Sequence, residues 1–350
     1  MTGSAPAYRR QSDAYALQRL PLVTLYLTER CNSRCISCDY WRHGRIDMDL
    51  AAVRRLLPDL ARLQTRAVLL SGGEPLLNPD WAEIALLLRS RGLSTWLLTS
   101  GLSLAKHAAR AAQLFDAITV SLDGSCAQTY AAIRGLDAFD KVCEGIRASV
   151  AAGASVGLRC TVQRGNYREL PALVQLAHRI GARQISFLPV DVANAAAFGR
   201  QQDFASDLAL QSADLPLFEQ LLSRLEGECA DDFRSGFIAE SPHKLRRILQ
   251  YFAAGCGYGD YPPVRCNAPE FSAVIDARGR VQPCFFIHGP PSARSEDALP
   301  EVLNAPGMAQ LRHQIRQRQR PECRTCVCSM WRDPAGFADM SIVSTPSPAI

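Results

Sequence analysis

The sequence predicts an α/β fold, a partial, open (β/α)6 TIM-like barrel carrying a small C-terminal Cys-rich hairpin/helix extension. Three observations predict it. Six short apolar or β-branched runs alternate with amphipathic stretches between residues 22 and 190, glycine-rich or polar clusters follow those runs, and most cysteines fall in two groups near opposite ends of the chain. Alternating β and α elements imply a parallel sheet with right-handed crossovers. Six units are too few to close an eight-stranded barrel, so the barrel is expected to stay open.

The expected strands are "LVTLYL" (22–27), "AVLLS" (67–71), "STWLL" (94–98), "AITVSL" (117–122), "SVGLRCTV" (155–162) and "RQISFLPV" (183–190). Between them, "LAAVRRLLPDLARL", "WAEIALLLRSRG" and "LPALVQLAHRIGA" repeat apolar residues every three or four positions, the period of a helix packed on a sheet. Pro58 is expected to kink or interrupt the first helix, because it lacks an amide donor and crowds the preceding turn. Gly92, Gly153 and Gly181 follow helical patterns and suit left-handed helix ends. Residues 199–262 read as a helical connector covering the barrel mouth, and "APEFSAVIDARGRVQPCFF" as a hairpin turning at Ala277-Arg278-Gly279. The division is therefore 1–21 as an N-terminal extension, 22–198 as barrel, 199–262 as connector, 263–335 as a cysteine-rich domain and 336–350 as a Ser/Pro-rich disordered tail.

Composition narrows the function classes. The 350 residues are 47% apolar and 21% charged, as in a soluble globular protein, with a net charge of only +5. No basic stripe with interleaved aromatics points to nucleic acid, no apolar run is long enough for a membrane span, and the first residues lack a secretory apolar core. The expected compartment is the cytoplasm, where 13 cysteines are not expected to form disulfides. Scattered Cys126, Cys143, Cys160 and Cys229 read as small buried apolar residues; the grouped ones read as metal ligands.

In an open α/β barrel, chemistry gathers at the C-terminal ends of the strands. There the sequence places "TERCNSRCISC", "GGEP" (72–75), "TSG" (99–101), "SLDG" (121–124), Arg159 and Gln163. Cys31, Cys35 and Cys38 offer three thiols. A four-iron cluster held by three thiolates leaves one iron open, able to take the amino and carboxylate groups of a small molecule. A zinc site that borrows His43 is the alternative.

Cys-x3-Cys-x2-Cys after a first strand, with "GGEP" after a second, resembles the radical S-adenosylmethionine (SAM) superfamily over about residues 22–190. The resemblance implies a [4Fe-4S] cluster on Cys31, Cys35 and Cys38 that binds SAM and, with a reductant such as flavodoxin or ferredoxin, generates a 5′-deoxyadenosyl radical that abstracts a substrate hydrogen. It implies that Gly72, Gly73 and Glu74 hold the methionyl amine, with Ser100, Ser121 and Asp123 near the ribose or carboxylate; each of these three is equally a turn former or helix cap. Arg159, in a strand expected to be largely buried, needs an anionic partner, for which the SAM carboxylate is the candidate. The family commonly has an aromatic residue before the third cysteine; Ser37 stands there, leaving Tyr40 as the candidate ring.

Cys266 and Cys284 form Cys-x12-Gly-x4-Cys, and Cys323, Cys326 and Cys328 form Cys-x2-Cys-x-Cys. This layout resembles the SPASM/twitch extensions that carry auxiliary [4Fe-4S] clusters. The resemblance implies one cluster on Cys266, Cys284, Cys323 and Cys326, with Cys328 as a substitute for Cys326 and Cys256 open to recruitment; a zinc ribbon is the alternative. A fully ligated cluster suits electron transfer, so the expected reaction is oxidation or dehydrogenation of a small metabolite. The second expectation is SPASM-type modification of a ribosomal peptide. An alternative of another class is a non-enzymatic Fe-S electron carrier or zinc-binding module. "RHQIRQRQR" (312–320) reads as a solvated helix face.

Overall fold

The computed structural model describes residues 16–194, 197–200 and 205–333. Most of the N-terminal extension and all of the expected disordered tail, 336–350, lie outside the described residues.

Six strands form at the six predicted runs: β1 (Leu22–Tyr26), β2 (Ala67–Ser71), β3 (Ser94–Thr99), β4 (Ala117–Ser121), β5 (Val156–Val162) and β6 (Gln184–Pro189). They pair in parallel, each with its sequence neighbours. The intervening helices are α1 (Leu50–Arg62), α2 (Trp81–Arg89), α3 (Leu104–Leu114), α4 (Ala127–Arg134), α5 (Phe139–Ala151) and α6 (Leu170–Arg179). Each turns its apolar stripe onto the sheet, as Val53, Leu56 and Leu60 of α1 do. β1 is buried along nearly all its length, which explains its unbroken apolar run, whereas β4 and β5 alternate. In those two strands Val120, Leu158 and Cys160 are buried, while Ser121, Arg159 and Thr161 lie on the less covered face.

Pro58 does not interrupt α1, which runs unbroken from an Asp49 cap whose carboxylate accepts from the Ala52 amide. Pro58 and Arg54, four residues earlier, are both exposed, so the carbonyl deprived of its helical donor faces water. Gly92, Gly153 and Gly181 do end helices with positive φ.

The C-terminal hairpin is part of the main sheet. Its strands β7 (Ser272–Ile275) and β8 (Val281–Gln282) turn through Gly279 at φ 75°, and β7 pairs in parallel with the outer edge of β1, Leu22 opposite Ser272. The sheet therefore has eight strands in the order β6-β5-β4-β3-β2-β1-β7-β8, mostly parallel and open.

Both outer edges are covered. The connector forms helices α7 (Leu215–Glu228) and α8 (Pro242–Gly255), and α8 packs on β6. Between them, the Phe237 carbonyl accepts from the Ile185 amide (2.7 Å) and the Ala239 amide donates back (2.9 Å). The connector thus seals the β6 edge more than it covers the mouth, removing a free row of amides and carbonyls. On the other edge, the Val281 amide donates to Ala293 O (2.8 Å).

Helices α9 (Leu299–Asn304) and α10 (Pro306–Arg316) return to α1, where the Asp59 carboxylate accepts from the Leu299 amide (2.7 Å). Here the expectation of a solvated face over 312–320 fails at Arg312. Its side chain is buried and donates to the Leu303 carbonyl at the end of α9 and to Asn304 Oδ1, and burial pulls its pKa down to about 10. Replacing Pro58 with Ala is expected to stabilise the protein by about 2 kcal/mol, since an interior helical proline costs up to about 3 kcal/mol relative to alanine and restricts the unfolded chain in partial compensation. The shift of the urea midpoint measures it; an unchanged or lowered midpoint refutes it.

Candidate functional site

The loop leaving β1 is pinned to the turn leaving β2 by backbone. The Gly73 amide donates to Thr28 O (2.9 Å) and the Glu74 amide to Arg30 O (2.7 Å). A Cβ at Gly73 would lie 2.2 Å from Arg30 O, so no larger residue fits while those bonds are kept. The close backbone approach that Gly73 allows is therefore made to the protein's own cysteine loop.

Glu74 is fully buried. Its Oε1 accepts from Thr99 Oγ1 (2.7 Å) and the Leu76 amide (3.2 Å), and its Oε2 from the Ser100 amide (2.7 Å) and Ser100 Oγ (2.6 Å). A carboxylate has about four acceptor positions, and all are in use, so an ammonium reaching Glu74 must displace one of these donors. Ser100 Oγ also meets Asn32 Oδ1 (3.2 Å), linking the third strand's end to the residue after Cys31.

Cys31, Cys35 and Cys38 are brought together by this loop. The Arg34 and Ile36 amides, either side of Cys35, donate to Arg134 O and Ile133 O at the end of α4, both at 3.0 Å. Cys38 Sγ lies 3.5 Å from Phe198 O. Burial raises all three thiols, Cys31 to about 11 and Cys38 to about 12, with Cys35 adding to each.

Asp123 is buried and internally satisfied. Oδ1 accepts from the Thr161 amide (2.7 Å) and Oδ2 pairs with Arg134 Nη1 (3.0 Å). Ser121 ends β4 opposite Arg159 in register. Arg159 is exposed, contrary to the expectation of a buried strand arginine, because it occupies the less covered face of β5; its Nε reaches Ser186 Oγ (3.3 Å), and it is the first cation to oppose the burial-driven rise of the Cys328 thiol. Tyr40 packs edge-on against Tyr26 (5.7 Å between centroids) and lies near Cys38, Asp276 and Arg280, so its ring faces the hairpin.

Cys266, Cys284, Cys323, Cys326 and Cys328 line one apolar cavity with Phe285, Phe286 and Ile287. Cys256 is not part of it; its sulfur lies 3.4 Å from Leu210 O. Burial raises Cys284 to about 12 and Cys323 to about 11, with Cys266 adding to both. Tyr26, at the end of β1, has its phenol pushed up by burial, then by Tyr40, and then by both Cys38 and Cys284. That ring also stacks on Phe285, the residue after Cys284, at 6.5 Å between centroids.

Both groups fit iron–sulfur clusters by donor chemistry: soft sulfur donors, half-buried, in a set of three and a set of five. Among the described residues, no three His, Cys, Asp or Glu side chains gather tightly enough to hold a single ion. Arg134, Tyr130, Asn32 and Thr99 escaped the sequence reading. Asn32 and Thr99 lie inside "TERCNSRCISC" and "TSG" without a role of their own, and no motif flagged Tyr130 or Arg134, since these roles arise only where α4 and β3 meet the loop.

Residues 25–177 match the radical SAM superfamily profile, and residues 266–327 match that of an iron-sulfur cluster-binding domain. Fe-coproporphyrin III synthase of Methanosarcina barkeri is 28% identical over 243 residues, 67% of this chain and 60% of that protein. Mycofactocin maturase MftC of Mycobacterium tuberculosis is 28% identical over 274 residues, 76% of this chain and 65% of that protein. The chain thus spans under two thirds of either relative. The structure of Streptococcus suis SuiB bound to its precursor peptide SuiA superposes with a TM-score of 0.63 at 15% identity, covering 87% of this chain and 69% of that one, a likeness of fold.

Thr99→Val, which removes one hydroxyl donor from Glu74, is expected to cost about 2 kcal/mol in denaturant unfolding, as for other hydrogen bonds to charged groups; a loss below about 0.5 kcal/mol refutes that role. Each thiol must lose its proton on binding iron, so iron uptake by the apo chain should strengthen as pH rises from 7 to 9. Anaerobic titration at several pH values checks the sign, and uptake that weakens with pH refutes it.

Proposed function

Because the chain belongs to the radical SAM superfamily and carries a SPASM-type iron–sulfur domain, we propose that it removes a hydrogen atom from an organic substrate held between the cysteine loop and the C-terminal hairpin, in a net oxidation. Its cofactors are SAM, a SAM-binding [4Fe-4S] cluster and an auxiliary iron–sulfur cluster. When bound, these would supply a 5′-deoxyadenosyl radical as hydrogen-atom acceptor and an acceptor for the one electron that the resulting substrate radical must lose.

The residues that would hold the first cluster are Cys31, Cys35 and Cys38. The turn 72–74 and Ser100 would flank the methionyl group, with Glu74 fixing their geometry from beneath. Ser121 and Arg159, side by side on the less covered face of the sheet, would meet the polar end of SAM or of the substrate. Asp123 would act through Arg134, since both its oxygens are engaged. Cys266, Cys284, Cys323 and Cys326 would hold the auxiliary cluster, with Cys328 as the substitute for Cys326. Tyr40 would line the substrate side of the mouth beside Tyr26.

The observation that carries the oxidative reading is Tyr26. Its ring packs against Tyr40, two residues beyond Cys38 (5.7 Å between centroids), and stacks on Phe285, the residue after Cys284 (6.5 Å), which supports an acceptor cluster beside the loop. A small metabolite is the proposed substrate, with flavodoxin or ferredoxin as the class of reductant. A ribosomal peptide is the second reading, favoured by the similarity to a mycofactocin maturase over 76% of this chain.

After anaerobic reconstitution the protein is expected to carry about eight irons per chain and to cleave SAM to 5′-deoxyadenosine. Cys35→Ala should abolish cleavage, while Cys284→Ala should keep cleavage and lose oxidised product. Full product from Cys284→Ala would sink the acceptor role. Bound zinc without SAM turnover would sink the enzymatic reading altogether. Assays with candidate metabolites and with short peptides from neighbouring reading frames separate the two substrate classes.

A further inference from the structure

The C-terminal end of α4 is fastened to the cysteine loop on both sides of Cys35, through Arg34 N to Arg134 O and Ile36 N to Ile133 O. The next residue seals the contact: a Cβ on Gly135 would come within 2.3 Å of Arg34 O. Cys35 is therefore fixed relative to two side chains of α4, Tyr130 and Arg134.

Both side chains carry a buried donor with no hydrogen-bond partner: Tyr130 Oη and Arg134 Nε. The rest of each is held. The Tyr130 ring is fully buried, edge-on to Phe139. Arg134 Nη1 is bound to Asp123, which is itself locked by the Thr161 amide and, through its carbonyl, by Asn166 Nδ2 (2.9 Å). Burial opposes the guanidinium charge, but Cys35 first, then Asp123 and Tyr130 favour it, and the group is held more firmly protonated than usual. A buried donor left unmade costs about 1–3 kcal/mol and is uncommon in folded proteins. Two of them on the helix whose end is bonded to the loop on both sides of Cys35 call for an acceptor, and the loop offers sulfur.

We propose that Arg134 Nε–H and Tyr130 Oη–H are the hydrogen-bond donors to the Cys35 side of the loop cluster, and that they raise its reduction potential. The proposal rests on the cluster reading given above. Reduction adds one negative charge to the cluster, so a fixed cation and a second donor beside a ligating sulfur favour the reduced form. Asp123 is a positioning residue in this scheme: it aims the guanidinium, as a carboxylate aims a metal-bound histidine.

The test is a potentiometric titration of the reconstituted full-length protein followed by EPR, with the loop cluster identified as the signal that changes on adding SAM. At a fixed potential Arg134→Gln should lower the reduced-to-oxidised ratio of that signal about tenfold, equivalent to 59 mV for a one-electron couple. Arg134→Lys should recover part of it. Tyr130→Phe, which leaves the Arg134–Asp123 pair intact, should lower the ratio about threefold. The auxiliary signal should not move in any variant. A wild-type ratio in loaded Arg134→Gln overturns the proposal. Should Arg134→Gln fail to load, Tyr130→Phe decides alone, and a wild-type ratio there overturns it equally. Absence of any SAM-sensitive signal in the wild-type protein is a separate failure, that of the cluster reading, and removes this assignment with it.

Discussion

Glu74 lies at the point where three strand ends meet, and its buried carboxylate is held by donors from the turn after β2 and the end of β3. Burying a carboxylate is unfavourable unless its acceptor positions are filled by donors. That requirement dictates the local geometry: Thr99 and Ser100 must come to Glu74, and the amides of 73 and 74 must then meet the carbonyls of Thr28 and Arg30. The cysteine loop inherits its position from this arrangement. Without it, three thiols on an eight-residue stretch would sample many separations; with it, the first of them is tied at both its neighbours, through Arg30 O and through Asn32 to Ser100.

A second constraint acts from the far side of β1. As the end strand of the six-stranded parallel array, β1 leaves an edge that must be paired or covered, and here β7 takes it, about 250 residues later in the chain. The consequence is chemical. Because β7 runs parallel to β1, the hairpin turn at Gly279 projects from the same rim as the cysteine loop, and Arg278 pairs with Glu29 across the gap. Cys284, just beyond β8, then arrives beside Tyr26.

Charge in the mouth is arranged in pairs. Asp123 with Arg134 and Arg30 with Asp47 each place an acid where a guanidinium must be held. The thiols are the exception: desolvation holds Cys31, Cys38, Cys284 and Cys323 above the ordinary thiol range, and a metal must replace their protons, which couples loading to deprotonation. Charge then develops on the sulfurs as metal binds, at which point the nearby cations matter most.

The six barrel strands and their C-terminal loops were legible in the residue order, because burial and chain direction impose period-2 and period-3.6 patterns that need no distant partner. So were the cysteine sets and "GGEP", since their spacing is local. The mistaken expectations were non-local. Pro58 survives inside α1 because its turn faces water; Arg159 is exposed because its face of the sheet is; and Arg312 is buried because the end of α9 needs a donor. The pairing of β7 with β1 and the meeting of Arg134 with Asp123 and Cys35 depend on which surfaces come together after folding. Residue order dictates which side chains are present and which strand end each follows; which of them share a charge partner or a sulfur neighbour is settled on folding, because distances between segments are not specified by chain order.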